Sequence, residues 1–171
     1  MIYLDNNATT PLDDEVFKEM TPYLTTIYGN PSSIHMAGRK SKSAIEKARD
    51  QVAKALNASA SEIYFTSGGT ESDNMAIRGL AHALKDKGNH IISSKIEHPA
   101  VLNTLEELKS EGYEITLLDV DKNGFVNLEQ LERSITNKTI LITIMYANNE
   151  IGTIEPIGEI GEIAKRHNVL F

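Results

Sequence analysis

The chain has 171 residues, 40% apolar and 24% charged, which gives it the size and composition of one ordinary globular domain and excludes a disordered, collagen-like or disulfide-stapled polypeptide. Seventeen Lys and Arg against 24 Asp and Glu leave a formal charge of −7, a poor basis for binding a polyanion, so nucleic acid is not expected as a partner. The absence of cysteine removes disulfides, zinc–thiolate sites and a thiol nucleophile from these residues.

No stretch of about 18 apolar residues occurs, and the opening Met1-Ile2-Tyr3-Leu4-Asp5-Asn6-Asn7 lacks the basic and apolar regions of a secretory signal. A cytoplasmic protein with no membrane partner is expected. Along the chain, Val16, Phe17, Met20, Tyr23 and Leu24 share one helical face, and Ile45, Ala48, Val52, Ala55 and Leu56 share another. From residue 62 the pattern alternates between short β-branched or aromatic runs and stretches with apolar residues three or four apart. Strands are expected at 62–66, 90–94, 114–120 and 139–146, and helices around 70–86, 99–111, 127–135 and 156–167. The fold class is therefore α/β, with a mostly parallel sheet flanked by helices, because parallel neighbours need a crossover that a helix usually supplies. Asn168-Val169-Leu170-Phe171 reads as the opening of a fifth buried strand, so a truncated or split chain is expected.

Three segments at strand ends can carry chemistry. Thr66-Ser67-Gly68-Gly69-Thr70-Glu71-Ser72-Asp73 follows an expected strand and opens a helix; Thr70 is placed to cap that helix and Asp73 to complete a capping box. Amides of the first turn would then face the sheet's carboxyl edge, where a compact phosphate is favoured. No Lys follows the glycines, so this is not a P-loop, and a capped turn that binds nothing is the alternative. His98, in Glu97-His98-Pro99, lies at the same edge, at a helix start where Pro is favoured. Its ring could stack on a flat ligand or move protons, or it could be a plain turn residue. Asn148-Asn149 leaves the most apolar strand and could bond a ligand oxygen or simply form a turn. His82, His90 and His167 are read as solvated, and His35 sits among turn residues.

Two apparent matches are refused. Asp119 to Asn127 copies most of an EF-hand loop, but Gln130 stands where the bidentate Glu belongs and the preceding helix is missing, so no metal is expected. Lys95 is the nearest candidate for a Schiff-base lysine, yet Ser93, Ser94 and Glu97 favour an ordinary charged side chain.

Taken together, Tyr3 to Pro11, Tyr28-Gly29-Asn30-Pro31-Ser32-Ser33-Ile34-His35, Thr66 to Ser72, Glu97-His98 and Asn148-Asn149-Glu150-Ile151-Gly152 resemble the NifS/IscS-like cysteine desulfurases, pyridoxal-phosphate enzymes of the class V aminotransferase group. The resemblance runs from the first residue to the last. It implies the large domain of the fold type I pyridoxal-phosphate transferases, incomplete at its C-terminus. It divides the chain into an active-site-bordering segment at 1–12, N-terminal helices at 13–60 and the first part of the cofactor-binding domain at 61–171.

By the same resemblance, Gly69 and Thr70 would hold the phosphate of pyridoxal 5'-phosphate. His98 would stack on the ring and assist proton transfer as the catalytic residue, and Asn149 would bond the 3-hydroxyl side. The segments Asn6 to Thr10 and Asn30 to His35 would border the active site, some reaching the partner subunit of a homodimer. The implied reaction converts L-cysteine to L-alanine and passes sulfur, as a persulfide on an enzyme cysteine, to an acceptor or scaffold protein for iron–sulfur cluster or thio-cofactor synthesis. In the family the Schiff-base Lys, the carboxylate at the pyridinium nitrogen and the nucleophilic Cys all follow the strand that begins near Val169. None is identifiable here, so the remainder of the enzyme is an implied partner. A non-catalytic module of the same fold, and a selenocysteine lyase-type relative, are the alternatives.

Overall fold

The computed structural model describes residues 2–171; Met1, the first residue of segment 1–12, lies outside the described residues. The chain forms two compact units, Met1–Phe65 and Thr66–Phe171.

The first unit holds α1 (Asp14–Thr25) and α2 (Met36–Ala55). Asp13 caps α1, its carboxylate accepting from the amides of Glu15 (2.8 Å) and Val16 (3.3 Å). The expected apolar face of α1 forms, but no α1 residue is buried: Leu24 is 68% exposed and Phe17 52%. Val16, Met20 and Tyr23 line one side of an open groove of about 920 Å³, with Ile45 and Ala48 of α2 opposite. His35 caps α2, its Nδ1 accepting from the Gly38 amide (3.3 Å). Gly38 has to be glycine, because a Cβ there would lie 2.3 Å from the Ser33 carbonyl oxygen.

The strand expected at 62–66 does not form. Ser59 and Glu62 make a reciprocal capping box that closes a 3₁₀ turn over Ala60–Glu62. The Arg49 guanidinium takes the Ile63 carbonyl and stands over the Phe65 ring, so that carbonyl is spent on a side chain of α2 rather than on a neighbouring strand.

The second unit is a three-layer α/β/α structure. Its strands β1 (His90–Ser94), β2 (Glu114–Leu118) and β3 (Thr139–Ile142) are parallel in the order β2-β1-β3. β1 is central and wholly buried. Alternation along each strand sends Ile91 and Leu141 to one face, where they meet Ile77 and Ala81 of α3 (Gly69–Ala83) and Val101, Leu105 and Leu108 of α4 (Pro99–Ser110). Ile92, Leu118 and Ile142 point to the other face, against Leu131 of α5 (Leu128–Ser134) and Ile160 and Ile163 of α6 (Ile157–Arg166). The helices lie within one to three residues of the sequence expectation at each end.

Two expected strands end early, 114–120 at Leu118 and 139–146 at Ile142. Past Leu118, Val120 turns to bridge Val126 in antiparallel fashion across a reversal at Gly124, whose φ of +89° favours glycine. The residues at 168–171 begin to pair as expected, Leu170 bridging Leu141 in parallel and its carbonyl accepting from the Ile142 amide (2.8 Å), but the burial expected there is not seen: Leu170 and Phe171 are both exposed.

His90 corrects the reading of that residue as solvated. It is only 4% exposed, with Nδ1 2.7 Å from the Thr139 hydroxyl and Nε2 2.9 Å from that of Thr116. The Thr139 oxygen also accepts from the Thr136 amide (2.8 Å). Burial holds this imidazole below the usual histidine range. A polar side chain thus ties the central strand to both neighbours.

Candidate functional site

The strand order determines where this sheet can bind a ligand. The connection from β1 to β2 runs through α4 on one face, whereas β3 continues into α6 on the other. Adjacent strands β1 and β3 therefore send their chains to opposite faces, the topology at which open α/β sheets bind ligands outside the carboxyl ends of their strands. Helix α3 precedes β1 and runs against it, bringing the α3 N-terminus to the same edge. Gly69, His98 and Asn149 are consequently delivered to one edge by three different elements.

Helix α3 starts earlier than the capping expectation placed it. Gly68, not Thr70, is the N-cap, and Gly69 is the first helical residue. The reciprocal bonding expected of Thr70 and Asp73 falls instead to Ser67 and Glu71, the Glu71 Oε2 accepting from the Ser67 amide and hydroxyl, both at 2.6 Å. The reason is local: extended Gly68 carries no side chain to compete for the first-turn amides. Ser72 N–H donates to the Gly68 carbonyl (3.1 Å), while among the described residues the N–H groups of Gly69, Thr70 and Glu71 take no acceptor. A Cβ built on Gly68 or Gly69 would meet nothing within 4 Å. Glu71 is held below the usual carboxylate range by the Ser67 hydroxyl first and the Ser67 amide second, and is turned back toward that serine.

His98 is the N-cap of α4, with Nδ1 accepting from the Ala100 amide (3.1 Å). That bond makes Nδ1 the acceptor, so in the neutral ring the proton sits on the exposed Nε2. Asn148 and Asn149 have separate fates. Asn148 is buried and folds the loop: its Oδ1 accepts from the amides of Glu150 (2.8 Å) and Ile151 (3.0 Å), and its Nδ2 donates to the Ile96 carbonyl (2.9 Å). Asn149 is exposed beside it. Lys95 is exposed and paired with Asp119. Asp121, in the EF-hand look-alike, accepts from the amides of Asn123 (2.8 Å) and Phe125 (3.0 Å) and so closes its own turn.

Sequence reasoning missed two buried carboxyls. Glu97 is 6% exposed and its Oε1 accepts from the Ser94 hydroxyl and the Met145 amide, both at 2.9 Å. Burial pushes its carboxyl above the usual range; Glu155 and Asp73 push it further, which puts Asp73 of α3 within electrostatic reach of the β1 tip. Glu155, 2% exposed, accepts from the Val126 amide (3.1 Å) through Oε2, while its Oε1 has no partner among the described residues. Their burial carries no local sequence signal, because their backbone donors lie 48 and 29 positions away.

With this geometry in place, known proteins place the chain. A model of the aminotransferase class-V family matches residues 2–171. The chain belongs to that family. It is 58% identical to the cysteine desulfurase IscS of Methanosarcina thermophila, over 99% of this chain and 42% of that one. Among solved structures it resembles a NifS-like protein (TM-score 0.94, 44% identity, 98% of this chain and 46% of that). It also resembles SspA in complex with cysteine (TM-score 0.91, 41% identity, 98% and 48%). The chain thus spans less than half the length of the relatives it matches. Among the described residues no helix is long and apolar enough to cross a membrane.

Glu155 gives the site a pH signature. A carboxyl with a raised folded value keeps its proton where the unfolded chain has lost it, so stability falls as pH rises from the ordinary glutamate value of 4.5 up through the folded one. The unfolding free energy of the native chain, followed by urea titration with circular dichroism, is expected to fall more steeply across this window than that of Glu155→Gln. Parallel profiles would contradict the assignment.

Proposed function

We propose that these residues form the cofactor-holding part of a pyridoxal-phosphate-dependent cysteine desulfurase. The observation that carries this reading is the first turn of α3: three amides without acceptors among the described residues, beside two glycines bordered by open space, on the side of the sheet to which the topology also brings His98 and Asn149. Such a turn suits one compact phosphoester, since backbone N–H groups and the helix dipole favour an anion and neither needs a counter-cation. Glu71 is turned back onto the Ser67 amide and hydroxyl.

In this reading the amides of Gly69 and Thr70 hold the phosphate, the His98 ring lies against the pyridine face, and Asn149 bonds the 3-hydroxyl side. Bound there, the cofactor supplies an electron sink at the amino-acid carbon. The Ala100 amide fixes the His98 ring so that Nε2 is the atom able to give or take a proton. L-Cysteine is the substrate; SspA, solved with cysteine, and the IscS relative support that choice. With no cysteine in this chain, the thiol that accepts sulfur as a persulfide must come from another polypeptide stretch, as must the Schiff-base lysine if Lys95 stays paired with Asp119. A homodimer, a sulfur acceptor and a cytoplasmic setting complete the proposal.

Two outcomes check it. Mixing the chain with the part of the Methanosarcina thermophila relative that it does not match is expected to yield alanine from L-cysteine when pyridoxal phosphate is added; no alanine from a folded mixture contradicts the reading. Gly69→Pro, at a first helical position where proline is favoured, removes one amide while keeping the helix. Losing a hydrogen bond to a charged group, worth about 1.5–3 kcal/mol, should weaken pyridoxal phosphate binding about tenfold or more, with the circular dichroism unchanged. Unaltered affinity would exclude that amide from the phosphate site.

A further inference from the structure

The two candidate ring contacts, His98 and Asn149, sit on different loops, and the bonds that set their separation come from the residues just before them. Glu97 precedes His98 and reaches across the crevice to the Met145 amide; Asn148 precedes Asn149 and reaches back to the Ile96 carbonyl. These two bonds run in opposite directions between the same pair of loops. The Ser94 hydroxyl, donated to the same Glu97 oxygen, anchors the clasp to the last residue of β1.

A carboxyl is an expensive group to bury there. It has no cationic partner among its bonds, and Asp73 and Glu155 add like charge nearby. Removing it from water costs free energy that a packed apolar residue would not incur. What an apolar residue cannot do is accept two bonds at one point, from the tip of β1 and from the chain leaving β3, and so fix the gap between them.

We infer that Glu97 is a positioning residue: with Asn148 it clasps the β1 and β3 loops and thereby holds His98 and Asn149 at the spacing of one flat ring. The inference rests on the pyridoxal phosphate reading above and deepens it. Glu97 acts through its neighbours and does not itself touch the ring. The phosphate turn at Gly69–Glu71 lies on a different element and does not depend on the clasp.

The test compares pyridoxal phosphate with inorganic phosphate as probes of the 171-residue chain, in wild type, Glu97→Ala and Glu97→Gln. Loss of an outer residue that orients binding groups typically weakens binding about 10–100-fold. Glu97→Ala is expected to lose that much affinity for pyridoxal phosphate while its affinity for inorganic phosphate changes less than about threefold, and Glu97→Gln, whose amide oxygen can accept both bonds, should stay close to wild type. Equal loss of both probes in Glu97→Ala would make Glu97 merely structural and overturn the inference, as would unchanged pyridoxal phosphate affinity or a Gln variant as weak as Ala. Hydrogen exchange of the Met145 amide supplies a readout that needs no ligand: it should be protected in wild type and Glu97→Gln and exposed in Glu97→Ala. A wild type that protects Met145 but binds no pyridoxal phosphate would defeat the cofactor reading; a wild type with an unprotected Met145 amide would defeat the clasp.

Discussion

Everything about this site depends on the placement of β1 between β2 and β3, with connections that leave it toward opposite faces of the sheet. Two neighbouring strands whose chains part in this way leave a gap that no side chain of the sheet needs to fill. The central position is held by alternating burial of Ile91 and Ile92 on the two faces and by His90, which bonds to threonines on both flanking strands. A slip of one residue would exchange the faces and undo both cores, so register is strongly specified. The site inherits its geometry from that register.

The electrostatics of the edge follow a consistent logic. The chain is acidic, and the candidate anion site contains no lysine or arginine. Its positive character comes from peptide dipoles at the start of α3, which remain available because the N-cap is a glycine. The carboxylates nearby are managed individually: Glu71 is tied to Ser67, and Glu97 is buried where its charge is disfavoured. In the proposed reading, peptide dipoles rather than cationic side chains hold the anion.

How much of this could be read from the sequence depended on how local each signal was. The helices and three of the four expected strands announce themselves through period, and the segments at 66–73, 97–98 and 148–149 stand out because glycines, a His-Pro pair and paired amides fall directly after strands. The strand expected at 62–66 pairs with no other strand among the described residues, and Arg49, fourteen residues earlier, takes the Ile63 carbonyl. His90 was misread because its partners, Thr116 and Thr139, are brought to it only by the sheet. Thr70 looked like a cap because its residue type permits one, yet the helix begins on Gly69 after the extended Gly68. The burial of Glu97 and Glu155 carried no local signal, since each takes a backbone donor far along the chain, although Glu97 stood out as part of the Glu97-His98 pair.

The central claim is that phosphate and ring are held at one sheet edge by the α3 amides and by groups on the β1 and β3 loops. Its most direct test is a ¹H–¹⁵N correlation spectrum of the chain during titration with pyridoxal phosphate. The amides of Gly69, Thr70 and Glu71 should shift together with those of His98 and Asn149, at a single affinity. Shifts confined to the groove between α1 and α2, or a response at Gly69–Glu71 with none at His98 and Asn149, would contradict it.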